Sequence, residues 1–399
     1  MPHMLKMYFA IAVAIHPFAA GAQQPPAPVT APALTTAQID AAIGQAYQPH
    51  EPGAVVLVAK DGKTVFRKAY GLADVARGTP MTPDMQLRLG SITKQFTATA
   101  ILLLVDEGKI KLADDITRFI PDYPTRGKRI TVEQLLNHTS GIASYTAQPD
   151  FAAHMTEDFT VAGMIDRFKN LPLDFEPGSS YRYNNSGYFL LGAIIEKVAG
   201  LAYADFLEQR IFQPLGMNDT AYEGKQHGKA AFVAGHTRGD QGFAPSAPLS
   251  MTQPYAAGAL VSTVDDLARW DVAVASGKLL KPATWQKAFA KTTLTNGKVS
   301  DYAFGWANGT VRGVPTIEHG GGINGFNAYA LRVPSAHVYV VVLRNTDSGT
   351  TNPETVARKL AALAVGKLEF TRNAKGEPVS TTVHRDGGDE VDLRTGGPD

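Results

Sequence analysis

Strand signals occupy both ends of this chain, and a long helical stretch lies between them. Near the start, Gly53 to Ala59 and Lys63 to Tyr70 flank Asp61-Gly62. Two β-rich runs around Asp-Gly are the strongest short-range hairpin signal there is. Near the end, Ala328 to Val333 and His337 to Leu343 are separated by Pro334-Ser335-Ala336, and a last helix is expected from Pro353 to Ala364. Residues from about Thr131 to Lys291 read as helical, most clearly at Val132–Leu136, Tyr188–Ala199 and Tyr203–Ile211. That order predicts an α/β protein of the α+β kind. An antiparallel sheet is built from both ends, flanked by helices, with a mainly helical subdomain inserted at about residues 80–290. A short helix starts near Thr36, whose hydroxyl would cap it ahead of Ile39, Ile43 and Tyr47.

The chain must be held together by its core, because it contains no cysteine. This excludes disulfides, thiolate metal sites and a cysteine nucleophile. With 38 basic and 37 acidic residues the charge is balanced, and no nucleic-acid partner is expected. At the N-terminus, Lys6 precedes an apolar run from Met7 to Ile15, too short to span a bilayer, and Ala20-Gly21-Ala22 is a small-x-small cleavage signal. Residues 1–22 therefore read as a signal peptide and 23–35 as a Pro/Ala-rich spacer. The folded domain would run over 36–366, and 367–399 reads as a polar disordered tail. The expected location is secreted or periplasmic, without a stable membrane span.

Gly90-Ser91-Ile92-Thr93-Lys94 opens a helix that continues through the apolar run Ile101 to Val105 and stops at Gly108. Positions three apart share a helix face, so Lys94 reaches the Ser91 hydroxyl. A serine hydroxyl needs a nearby base, and burial would turn Lys94 into one. Alone, Ser-x-x-Lys also reads as a capping serine and a surface lysine. Tyr183-x-Asn185 offers a phenol and an amide, the phenol acting as a base only beside a cation such as Lys94. Asn185 would hold the lysine or bind a substrate carbonyl. It also reads as a helix cap behind a core aromatic. His319-Gly320-Gly321-Gly322 offers a backbone that approaches a ligand closely, and an imidazole to orient the tyrosine proton or bind a carboxylate. No metal and no cofactor is expected. Tyr145, Tyr255, Trp306 and Phe326 are candidates for pocket lining, and His138 sits in a structural turn.

The three motifs in this order resemble the serine β-lactamase/penicillin-binding superfamily, in its class C β-lactamase-like and D-alanyl-D-alanine carboxypeptidase-like branch. Supporting text includes Leu135 to Ile142, Pro214 to Thr220 and Ala257 to Leu267, and the similarity spans about residues 37–365. The resemblance implies a β-lactamase/transpeptidase-like fold with the site between two subdomains. It implies Ser91 as the acylated nucleophile, and Lys94 and Tyr183 as the shared general base. Asn185 would position lysine and substrate, and the Ser91 and Gly322 N–H groups would form the oxyanion hole. One departure matters: class C enzymes carry Lys-Thr-Gly where this chain has His319-Gly320-Gly321. A neutral imidazole anchors a penicillin carboxylate less well than an ammonium does. The expected activity is an exported serine hydrolase acting on D-amino-acid peptides or small esters, with a small molecule or peptide (D-amino-acid peptide, ester or β-lactam) as the partner it binds. The alternatives are a class C-like β-lactamase and a non-catalytic peptidoglycan- or β-lactam-binding protein. Oligomeric state is left open.

Overall fold

The computed structural model describes residues 35–349 and 351–365, and the backbone of 367–372, 378–385 and 388–392. The predicted signal peptide and nearly all of the spacer lie outside the described residues. Helix α1 (Thr36–Ile43) is capped by Thr35, one residue earlier than predicted, because Gln38 three residues on completes a capping box. The hairpin around Asp61-Gly62 is present as β1 (Ala54–Lys60) and β2 (Lys63–Tyr70). Helix α2 (Thr93–Asp106) follows, then α3 (Val132–Leu136) and α4 (Asn185–Ala199). At the far end lie β3 (Ala307–Val311), β4 (Val314–Ile323), β5 (Phe326–Val333), β6 (Val338–Arg344) and α5 (Pro353–Val365).

The six strands form one antiparallel sheet in the order β3-β4-β5-β6-β1-β2. The chain ends meet where Val56 pairs with Val342 and Val58 with Val340. Alternation of side chains across the sheet separates two cores. Val56, Val58, Val340 and Val342 face α1 and α5, with Ile39, Leu360 and Ala361. Val55, Leu57, Val341 and Leu343 face the helical side and join one core with α2 and α4. Both faces are covered, so β1 and β6 read as unbroken apolar runs. Within α2, Phe96, Ile101, Leu102 and Leu104 are fully buried, each stabilising by about 1.5–3 kcal/mol.

Three local expectations change. The helix predicted from Tyr203 to Ile211 is α-helical only over Tyr203–Leu207 and widens into a π-turn over Glu208–Phe212. The His319-Gly320-Gly321 segment, expected to precede the C-terminal strands, is itself part of one, because its ladder with β5 runs from Ile317↔Arg332 to Ile323↔Phe326. The tail expected to be disordered from residue 367 carries backbone strands at Lys367–Arg372, Pro378–Arg385 and Gly388–Asp392, paired as a meander. Apolar residues at alternate positions, Leu368 and Phe370, suit a strand despite the polar composition of the tail.

Candidate active site

Ser91 stands on a 3₁₀ turn, Gly90–Ile92, that feeds into α2, so regular α-helix begins at Thr93 rather than at the predicted Gly90. Gly90 adopts φ +51°, a left-handed conformation in which any side chain would be strained. The turn lifts Ser91 out of the helix and leaves it partly exposed at a cavity of about 140 Å³. Tyr145, Thr146, Asn185, Ala257, Gly258 and Gly322 help to line it.

Lys94 lies one helical turn below and is fully buried. Its Nζ sits 3.0 Å from Ser91 Oγ, 2.9 Å from Asn185 Oδ1 and 2.8 Å from the Ala257 carbonyl. No carboxylate is among these partners, and burial holds the amine well below the ordinary lysine range. A neutral amine has two N–H bonds and one lone pair. Asn185 Oδ1 and the Ala257 carbonyl can only accept, so they take the two N–H protons. The lone pair is left facing the Ser91 hydroxyl. Sequence reasoning missed Ala257, since a backbone carbonyl leaves no trace in residue type.

Asn185 is the first residue of α4, and Asn184 performs the capping expected of it by accepting from the Gly187 N–H at 2.7 Å. The Asn185 amide is oriented by Thr146, whose Oγ1 accepts from Nδ2 at 3.1 Å. Thr146 was also missed. Tyr183 is 37% exposed, and its hydroxyl hydrogen-bonds with Ser91. The Lys94 Nζ lies 4.7 Å from the centre of that ring. Burial raises the phenol, and the Ser91 hydroxyl offsets this only in part. The phenolate expected beside a lysine cation is disfavoured, because burial of the phenol itself penalises its charged form.

Strand β4 brings the third motif alongside. The β3 ladder ends at the Ala307↔Glu318 pair, so residues 319–323 have an open edge. The hairpin to β5 closes on Ile323↔Phe326, and ladder alternation turns the Gly322 N–H toward that open edge, where the Ser91 turn lies. A Cβ on Gly321 would stand 1.9 Å from the Leu89 carbonyl, so only glycine permits this approach. His319 is buried, with Nε2 2.8 Å from the Tyr302 hydroxyl and Nδ1 2.6 Å from the Gly320 carbonyl. Burial and then Lys94 lower it to about 4. Both ring nitrogens are engaged, so His319 offers no free proton to Tyr183 or to a carboxylate, contrary to the expectation. Tyr302 was not foreseen.

Residues 36–365 match the model of the Beta-lactamase family. The chain belongs to that family. It is a serine hydrolase of the β-lactamase/penicillin-binding superfamily. Penicillin-binding protein 4* of Bacillus subtilis (strain 168) is similar, with 28% identity over 358 residues, 84% of this chain and 78% of the relative. The octameric penicillin-binding protein homologue from Pyrococcus abyssi superposes with a TM-score of 0.72 at 25% identity, over 89% of this chain and 88% of that one. D-amino acid amidase from Ochrobactrum anthropi SV3, complexed with L-phenylalanine amide, gives 0.68 at 27% identity, over 82% of this chain and 98% of that one.

Of the aromatic residues predicted to line a pocket in this Beta-lactamase family chain, Tyr145 does so. Tyr255 packs instead on Phe189 and Tyr203, and Trp306 on Trp270, Trp285 and Phe289. Phe326 faces a separate surface depression beside Phe232. Their bulk is spent on the core, as for most large aromatics. His138 holds its turn at φ +60°, and its Nδ1 accepts from the Asn184 N–H at 3.1 Å. Among the described residues no helix is long and apolar enough to cross a membrane.

Proposed function

We propose that the protein cleaves amides and esters of D-amino acids through an acyl-enzyme on Ser91. The observation that carries this reading is the fully buried Lys94 amine, 3.0 Å from the Ser91 hydroxyl, whose other two partners are pure acceptors and whose charged form burial disfavours. In the first step Lys94 takes the Ser91 proton as Oγ attacks the substrate carbonyl. Negative charge develops on the carbonyl oxygen and is received by the N–H groups of Ser91 and Gly322. Tyr183, a neutral phenol, protonates the leaving nitrogen or oxygen, and the proton on Lys94 restores the phenol. Water then attacks the acyl group, its proton passes to the Lys94–Tyr183 pair, and Ser91 regains its hydroxyl as the acid leaves.

The D-amino-acid substrate class is supported by the amidase and penicillin-binding neighbours, and export by the Met1 to Ala22 segment. A purely binding role is disfavoured, because Ser91, Lys94, Tyr183 and Asn185 all retain their reactive groups. The test compares D- and L-phenylalanine amide, a small chromogenic ester and a chromogenic cephalosporin on the wild type and Ser91→Ala. Ser91-dependent turnover of the D-amide and ester, with a mass increase on Ser91 equal to the acyl group, is expected. Equal turnover by Ser91→Ala would refute the mechanism, and preference for the L-amide would refute the substrate class.

A further inference from the structure

We infer that His138, on the loop after α3, is a positioning residue for the acyl-enzyme reaction. It grips the backbone on both sides of Tyr183 and so fixes the phenol against Ser91. The inference rests on the role of Tyr183 as proton donor to the leaving group, and adds what sets its place.

Tyr183 needs such a support. Residues 180–184 form neither helix nor strand, so no regular hydrogen-bond ladder holds them. The side chain is partly exposed, yet its hydroxyl hydrogen-bonds with Ser91. A phenol on an irregular segment samples several positions unless its backbone is pinned.

His138 supplies the pins. The Arg182 N–H donates to the His138 carbonyl at 3.1 Å, and the Asn184 N–H donates to His138 Nδ1 at 3.1 Å. The neighbours of Tyr183 on either side are therefore bound to one residue. The imidazole also packs on the Tyr183 ring, 4.4 Å away between centres. His138 adopts φ +60°, an uncommon conformation for a residue with a side chain, which persists only where its surroundings enforce it. The same loop is tied down further along. The Thr139 and Gly141 carbonyls accept from the Gly178 and Asp174 N–H groups, each at 2.7 Å.

Packing alone does not account for a histidine here. The Asn184 N–H can only donate, so Nδ1 is a bare lone pair and the proton sits on Nε2. That Nε2 is buried and meets no hydrogen-bond partner among the described residues. The Tyr188 and Tyr302 rings lie 5.0 and 4.5 Å from the imidazole, between centres. An unpaired donor in such surroundings costs stability, and an apolar side chain would fill the space without it. What an apolar side chain lacks is the Nδ1 acceptor. Burial disfavours the charged ring, which keeps that lone pair available.

The test measures kcat/KM, which reports acylation, on D-phenylalanine amide and D-phenylalanine nitrophenyl ester. The leaving nitrogen of the amide needs a proton, whereas nitrophenolate departs without one. His138→Gly suits the positive φ and removes the Nδ1 grip. It should slow the amide reaction about 10²-fold and the ester reaction by less than about tenfold. His138→Asn should recover most of the amide rate, because its Oδ1 is joined to Cβ through Cγ as Nδ1 is, and asparagine tolerates positive φ. In Tyr183→Phe, which lacks the proton donor, adding His138→Gly should change the amide rate by no more than about twofold. A merely structural role would slow amide and ester alike and multiply with Tyr183→Phe. Either of those results, or an asparagine variant as slow as the glycine one, overturns the proposal. The crystal structure of His138→Gly reads the same point without turnover. A Tyr183 hydroxyl out of hydrogen-bond reach of Ser91 is expected, and one still in place overturns the proposal. Should His138→Gly fail to fold, His138→Leu, which keeps bulk but has no acceptor, replaces it with the same expected results. A wild type that hydrolyses neither substrate refutes the acyl-enzyme reading, and the crystal structure still decides what places Tyr183.

Discussion

The Lys94 amine lies 3.0 Å from the Ser91 hydroxyl, and both of its other hydrogen-bond partners, Asn185 Oδ1 and the Ala257 carbonyl, are pure acceptors. An amine in that setting works as a base only while it is uncharged. Arginine cannot lose its proton, so Lys94→Arg keeps a cationic side chain and loses the base. Both Lys94→Arg and Lys94→Met should lower kcat/KM by about 10²–10⁴-fold. Circular dichroism checks that the fold survives. An arginine variant within tenfold of the wild type would remove Lys94 from the proton transfer.

The pH profile should report the same group. The active form is the neutral amine, so kcat/KM falls as pH drops through a lysine value well below the ordinary 10.5. Asn185→Asp would place a carboxylate 2.9 Å from Nζ and favour the charged form. Its acidic limb should therefore move to higher pH by about one to three pH units. Steady-state kinetics across pH gives the shift directly, and a limb that stays in place argues against Lys94 as its source.

Gly321 and Gly322 should respond differently to alanine. At Gly321 the new Cβ meets the Leu89 carbonyl at 1.9 Å, whereas at Gly322 the nearest atom is Asn327 Oδ1 at 3.5 Å. Gly321→Ala should cost about 1–3 kcal/mol and separate β4 from the Ser91 turn, with loss of activity. Gly322→Ala should melt close to the wild type. Thermal melts of the two variants, run side by side, check the contrast.

Acid should destabilise the fold through its buried histidines. His319 has a folded value near 4 against 6.5 for the free side chain, and burial also depresses His138. Between these limits the unfolded chain binds protons that the folded protein refuses. Stability therefore falls as pH drops from about 6.5 toward 4, by up to about 3 kcal/mol for His319. Urea midpoints at pH 7 and pH 4.5 measure the loss, and His319→Gln should make the dependence shallower. Identical midpoints at the two pH values for the wild type would contradict a buried neutral imidazole.

Much of the sheet was legible because local signals and tertiary fold agree. Asp61-Gly62 sets a hairpin, and the apolar runs of β1 and β6 are long enough for strands buried on both faces. Residues 319–323 were harder to read. A strand of glycines has neither β-branched side chains nor alternation, and only pairing with β5 makes it one. The tail misled in the opposite sense, its polar composition masking short alternating runs. The aromatic residues Tyr145, Tyr255, Trp306 and Phe326 show why residue type is a poor guide to a pocket: the same rings fill a core.

The sequence by itself determined the elements and the reactive groups. Ser91 and Lys94 are three residues apart on one helical face, Asn185 opens an apolar helix, and the missing cysteines leave a hydroxyl as nucleophile. Only the tertiary structure decided their states. The charge on Lys94 depends on burial among partners from two distant segments, at Asn185 and Ala257. The low value of His319 depends on burial and on Lys94, and its ring nitrogens meet Tyr302, 17 residues away in the chain, and a carbonyl of its own strand. Desolvation and hydrogen-bond direction are properties of surroundings, and the surroundings exist only once the chain has closed its sheet from both ends.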